Sequence, residues 1–373
     1  MKRFLVVCAA AMLCCSLVRA QEAEDTGRGA GLSIIPRVDV GVLYDLDSKS
    51  ASFSFGNTHL YTLFEGNISE KWSFSVCNHW IATDWTYGSF QDGVLTPTKN
   101  LYHFPWPGSG NGANNFLDWA YITFTPGDFE LSLGKMALFV GGFEFDEYDF
   151  DVNPMTATHF WNSYTVYKLG FSAAWTTPSE QSTFAFQVAM DQDNAGPAFA
   201  LRWTGEYGPW STNYSVLTAK EYDHATGRDT YLRPIFSIGN RLNFGGFTAT
   251  VDYMNRCGDP YWVQAAVKGH TVSANFQYEI GDHWDLSLKG VANIAHDPAP
   301  YGWDKDTDSC VVPEDYTPSD VPFDKYAFYS GGLTASWYPL QDKSLRVQAS
   351  AGYNNNMLFG LLGITYDWAI KLW

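Results

Sequence analysis

The chain has 373 residues, with 40 Asp and Glu against 23 Lys and Arg, for a formal net charge of −17. Aromatic and charged residues each make up 17%, the latter well below the roughly 25% of an ordinary globular protein. So aromatic a chain is not disordered, one so acidic lacks the basic surface that nucleic-acid phosphates require, and a mean hydropathy of −0.20 excludes a bundle of membrane helices.

Lys2 and Arg3 precede an apolar run from Phe4 to Val18, and Val18-Arg19-Ala20 has the form of a cleavage site. This predicts a secretory signal peptide over 1–20, too short to serve as a membrane span. Cys14 and Cys15 suggest a lipid anchor as the alternative, but Ala11 and Met12 stand where lipoprotein processing wants Leu. Cleavage leaves 20 bases, 40 acids and three cysteines, Cys77, Cys257 and Cys310. Three is odd, so no complete disulfide framework is expected. A short segment, 21–32, leads into the body of the chain.

From residue 33 onward the pattern is period-2 alternation, the mark of half-buried strands. Sixteen strands are expected near 33–44, 58–67, 71–82, 116–125, 129–140, 162–176, 182–190, 198–207, 211–221, 231–239, 241–253, 263–279, 284–294, 326–338, 344–353 and 357–371. Over 270–280, Val272, Ala274, Phe276, Tyr278 and Ile280 alternate with Thr271, Ser273, Asn275, Gln277 and Glu279. The connections alternate too. Turn-forming residues link strands at one end: Asn67-Ile68-Ser69, Pro126-Gly127-Asp128, Pro178-Ser179-Glu180, Gly208-Pro209, Gly239-Asn240, Gly281-Asp282-His283 and 339–343. Every long connection, 45–57, 83–115, 141–161 and 295–325, falls at the other.

An even strand number with short turns on one side and long loops on the other predicts an all-β fold, a 16-stranded antiparallel transmembrane β-barrel over 33–373. A soluble β-sandwich would alternate as well. The polar face here is rich in Ser, Thr, Asn and Gln, as suits a wet lumen, and Trp72, Trp80, Trp161, Trp175, Trp203, Trp210, Trp284, Trp337, Trp368 and Trp373 sit near strand ends, where interfacial girdles lie. The last strand is apolar on one face through Leu362, Ile364, Tyr366, Trp368 and Ile370 and ends on Trp373, resembling the signal that barrel-assembly machinery reads.

Gly134-Lys135-Met136 and Gly141-Gly142-Phe143-Glu144-Phe145-Asp146 resemble a stretch in the phosphate-selective porin O and P family, closest to its Bacteroidetes-type versions. The resemblance implies a sixteen-stranded, usually trimeric outer-membrane channel for small polar solutes or ions. The family's anion selectivity rests on a dense Arg and Lys run that the corresponding loop here lacks, so fold and channel role carry over better than phosphate selectivity. An anion channel with a basic wall is the alternative, and a barrel enzyme or adhesin the alternative of another class.

The connection 141–161 is the third long one and carries Glu144, Asp146, Glu147, Asp149 and Asp151 without Lys or Arg. A carboxylate ring at a constriction would favour cations; an exposed, solvated loop would have the same composition. Strict alternation puts Lys135 on the lipid face. A bulge at Gly134 would turn it inward as counter-charge to the acidic loop, the reading preferred here, and snorkelling near the interface is the other. Expected on the lumen wall are Arg37, Lys168, Arg202, Arg233, Lys289 and Arg346, against Asp39, Glu65, Asp252, Glu279, Asp285 and Asp367, a mixed wall that either orients solutes or braces itself.

No metal or cofactor is expected. Asp304-Lys305-Asp306-Thr307-Asp308 begins like a calcium loop, but Ser309 stands where the turn Gly belongs. The loop 83–115 carries Tyr102, Phe104 and Trp106, which suit either sugar stacking or packing over the rim. No G-x-S-x-G, H-E-x-x-H or C-x-x-C motif points to an enzyme.

Overall fold

A computed structural model describes residues 29–372 except 48, 55–57, 85–89, 92–93, 96–100, 104–116, 148–152, 154, 159–166, 192–195, 219, 224–227, 232–233, 257–268, 296–301, 305–308, 312–326 and 355–356. The signal-peptide, Cys257, calcium-loop and terminal Trp373 expectations lie outside the described residues.

Sixteen strands form the barrel: β1 (Gly29–Asp45), β2 (His59–Ser69), β3 (Trp72–Asp84), β4 (Leu117–Phe124), β5 (Phe129–Ala137), β6 (Tyr167–Thr176), β7 (Ser182–Asp191), β8 (Gly196–Tyr207), β9 (Trp210–Thr218), β10 (Ile235–Phe244), β11 (Phe247–Arg256), β12 (Gly269–Ile280), β13 (Trp284–Ala295), β14 (Ala327–Trp337), β15 (Leu345–Asn354) and β16 (Met357–Tyr366). Each pairs antiparallel with the next. The ring closes on β1, which pairs with β2 through Arg37↔His59 and with β16 through Arg37↔Thr365. Closure leaves no open sheet edge in the ring, the condition for strands to cross a membrane. After Asp367 the chain resumes pairing with β1 over Trp368–Lys371.

Alternation decides which face is which. Leu362, Leu133 and Leu201 are 61%, 60% and 56% exposed, whereas Ser237, Asn213 and Gln187 are 2%, 1% and 0% exposed. The apolar side chains therefore point outward and the small polar ones inward, the reverse of a soluble core. At the short-turn end the outward aromatics stack between neighbouring strands: Trp72 on Phe124, Trp284 on Trp337, and Trp175, Phe184 and Trp203 in sequence. Trp210 Nε1 and the Tyr214 hydroxyl both donate to Asn240 Oδ1, so their polar tips are satisfied at the girdle.

One turn is corrected. Gly239-Asn240 lies inside β10, and the chain reverses at Gly245-Gly246, where Gly245 has φ +63°. Gly239 is small for another reason. A Cβ there would lie 2.5 Å from Asp252 Oδ1 and 3.0 Å from Phe143 Cδ2. It is a packing glycine that receives a loop, and its turn-like appearance shifted the expected spans of β10 and β11 toward the N-terminus.

Candidate functional site

The connection after β5 does not project outward over its described length; it runs along the inner wall. Gln187 of β7 grips its first residues, accepting from Phe139 N at 2.8 Å and donating to Ala137 O at 2.8 Å. Leu138 and Val140 then bury against Ala189, Ala198, Ala200, Leu217, Ile235 and Met254, an apolar patch on the inner faces of β7 to β11. This patch is a local exception to the polar lumen, and it exists because the loop covers it.

Next comes a 3-10 turn over Phe143–Asp146. Asp252 of β11 caps it, accepting from Phe143 N at 3.0 Å and Glu144 N at 2.9 Å. A carboxylate at the start of a helical turn satisfies otherwise orphaned N–H groups. Ser215 and Ser237 donate to Gly141 O at 3.1 and 2.6 Å, and Asn213 donates to Gly142 O at 3.2 Å. A Cβ on Gly142 would lie 2.2 Å from Asp252 Oδ1, so only glycine allows this approach. The Gly141-Gly142-Phe143 stretch noticed in the sequence is thus the docking element of the loop.

Glu144 reaches further, to β13. Its Oε1 accepts from Lys289 Nζ at 2.6 Å and from Thr158 N at 3.0 Å, and its Oε2 accepts from the Thr158 hydroxyl. Beyond it Met155 packs on Leu43, Phe359 and Leu361, while Asn354 donates to Met155 O at 2.8 Å. The loop therefore touches the wall from β7 to β16 and β1.

The expected acids divide by role. Glu144 is a buried structural anchor, 3% exposed. Asp146 keeps 43% of its side chain accessible and meets Arg202 Nη1 at 3.1 Å and Asn213 Nδ2 at 2.7 Å. The surrounding protein desolvates Asp146 and raises its carboxyl above the usual range, with Arg202, Arg241 and Asn213 opposing. Burial pushes Glu147 up to about 7, opposed by Lys289 and reinforced by Glu144. Asp149 and Asp151 lie outside the described residues.

Of the expected wall bases, Arg37, Lys168, Arg202, Lys289 and Arg346 share the inward phase of their strands, and Arg233 lies outside the described residues. Arg37 is bound by its neighbour Asp39, Nη2–Oδ2 2.7 Å and Nε–Oδ1 3.0 Å, both side chains 1% exposed. This is a wall brace. Arg241 is a lumen base that the sequence reading missed, because the turn placed at Gly239-Asn240 broke its strand. Its guanidinium lies 4.2 Å over the Phe143 ring, as Arg202 lies 4.3 Å over Phe139. A longer alternating window through 235–244 would have found it.

Lys135 does not turn inward. Gly134 pairs with Tyr121 and Gly170 without a register shift, and Lys135 stays in phase with the outward Leu133. Its amine donates to the carbonyl of Leu117 at the start of β4. The charge reaches backbone at the strand end instead of the acidic loop, which is the snorkelling geometry. A different strand does bulge inward. Asp118 is the extra residue between Asn78↔Leu117 and Cys77↔Trp119, and its Oδ1 lies 2.5 Å from His79 Nδ1. The buried Cys77 packs there with Ile35, Tyr61 and Trp119.

No family model and no curated protein matches the sequence. Solved structures do resemble its fold. A loop-deletion mutant of OmpT, an outer membrane protein of Vibrio cholerae, has TM-score 0.54 at 11% identity, covering 92% of this chain and 100% of that one. The outer membrane channel DcaP of Acinetobacter baumannii has TM-score 0.52 at 12% identity, covering 94% and 100%. A mutant of Rh. blastica porin has TM-score 0.51 at 10% identity, covering 90% and 99%. The barrel is shared with outer-membrane proteins at identities that speak to fold alone.

Proposed function

We propose that the chain is an outer-membrane porin through which small hydrophilic solutes or ions diffuse passively, sorted where the loop after β5 narrows the lumen. One observation carries this reading: within a closed ring with a polar inner face, a loop is bonded to the wall from Gln187 to Asn354. Such a loop reduces the cross-section and sets charged groups along the remaining path. Two structural neighbours, an outer membrane channel and a porin, support the same role.

Selectivity in this reading is mixed. Glu144 and Lys289 neutralise each other, Asp146 is paired with Arg202, and burial pushes the Glu147 carboxyl up to about 7. The phosphate selectivity of the family that the motif resembles finds no support in this distribution. Barrel-assembly machinery would insert the chain, and a trimer is the assembly the resemblance implies. Planar-bilayer recording of the purified protein tests the proposal: stepwise ion conductance is expected, and a protein that inserts but conducts nothing would refute it.

A further inference from the structure

Two carboxylates on the same loop are held in opposite ways. Glu144 is locked by Lys289, by Thr158 and by burial. Asp146 keeps 43% of its side chain accessible and bonds Arg202 of β8 and Asn213 of β9, while Arg241 of β10 adds its positive charge to the field at the same carboxylate. Each guanidinium has one face covered by a loop phenyl ring, Phe139 or Phe143. Arg241 Nε is further held by Thr250 Oγ1 at 3.1 Å. A guanidinium stacked on a ring and tied at one nitrogen loses its freedom to turn, and its remaining N–H edge points to one place. That edge matches the paired oxygens of a carboxylate better than a single-atom anion.

We propose that Arg202 and Arg241 form a recognition pair for carboxylate-bearing solutes, and that Asp146 is a built-in carboxylate which the solute displaces during passage. The proposal rests on the porin reading and names its solute class. Asp146 already shows that a carboxylate fits beside Arg202, with one oxygen on Arg202 and the other on Asn213. A displaceable internal ligand offsets one of the two positive charges when the site is empty and lowers net affinity, so that a bound solute can both enter and leave, as conduction needs.

The test is current blockade in a planar bilayer in KCl, comparing gluconate with glucose, a neutral polyhydroxylated six-carbon solute that lacks the carboxylate. Gluconate is expected to block saturably and glucose not. Arg241→Gln and Arg202→Gln should each raise the half-blocking concentration about tenfold, the loss expected for one charge-assisted hydrogen bond. Asp146→Asn should lower it, since the internal competitor is gone. Lys71→Gln, at an exposed turn, is the control and should change nothing. Absence of any KCl conductance would refute the porin reading itself. A conducting protein blocked equally by gluconate and glucose, blocked better by inorganic phosphate than by gluconate, insensitive to both arginine variants, or blocked less after Asp146→Asn would overturn this proposal and leave the porin reading standing.

Discussion

Glu144 and Lys289 meet at 2.6 Å although Glu144 follows β5 and Lys289 belongs to β13, eight strands further round a ring of sixteen. Glu144 is buried and Lys289 mostly so, with side chains 2% and 12% exposed. Removing one partner of a buried ion pair strands the other charge, at about 3–5 kcal/mol. Lys289→Met is therefore expected to free the loop, seen as a larger and noisier single-channel conductance and faster proteolysis within 141–161. Adding Glu144→Gln should return conductance and protection toward wild type. A single variant with unchanged conductance and protection would show that the pair does not hold the loop.

Gly142 and Gly239 both crowd the same carboxylate, with Cβ positions 2.2 and 2.5 Å from Asp252 Oδ1. Gly142→Ala and Gly239→Ala should each displace the loop while leaving the ring closed. Conductance changes, and the heat-dependent shift in gel mobility of the folded barrel persists. Gly245→Ala should do the opposite. Its φ of +63° costs a non-glycine residue about 1–2 kcal/mol, so barrel stability falls in urea titration and conductance stays.

The Glu147 carboxyl, raised to about 7 by burial, predicts a pH response. Its folded value lies above its unfolded one, so it supports the docked loop fully below about 4.5 and loses that contribution as pH rises through about 7. Over the same window a negative charge appears beside the path. Reversal potentials in a salt gradient should shift toward cation preference between about pH 6 and 8, with Glu147→Gln flattening the change. An unchanged pH profile in that variant would assign the titration elsewhere.

The outward face should behave as a lipid surface. Leu288 is 55% exposed on the outer face of β13, and Leu288→Arg is expected to cost about 2–4 kcal/mol if it lies near mid-membrane. Ser287→Arg, on the inner face of the same strand, should leave folding intact and change conductance instead. Refolding yields into lipid vesicles, compared for the two variants, check this.

Much of the architecture was legible because a strand's signal is local. Alternation at period 2 places each side chain by parity alone, and every expected strand span overlaps one of β1 to β16. Parity also placed Arg37, Lys168, Arg202, Lys289 and Arg346 inward. It failed where a residue's neighbours in space replaced its neighbours in sequence. Gly239 read as a turn because nothing local announces that Phe143 and Asp252 crowd it, and Arg241 was lost with it. Lys135 was assigned a partner in the acidic loop, whereas its amine donates to a backbone carbonyl of the neighbouring strand β4.

The acids of 141–161 carry the clearest division. Composition alone established that the loop is acidic and uncompensated within itself. Only closure of the ring brought Lys289, 145 residues from Glu144, and Arg202, 56 residues from Asp146, within hydrogen-bonding distance. A linear pattern records the charge of a segment but not the partners a closed barrel folds around it, and those partners separate an anchoring carboxylate from an accessible one.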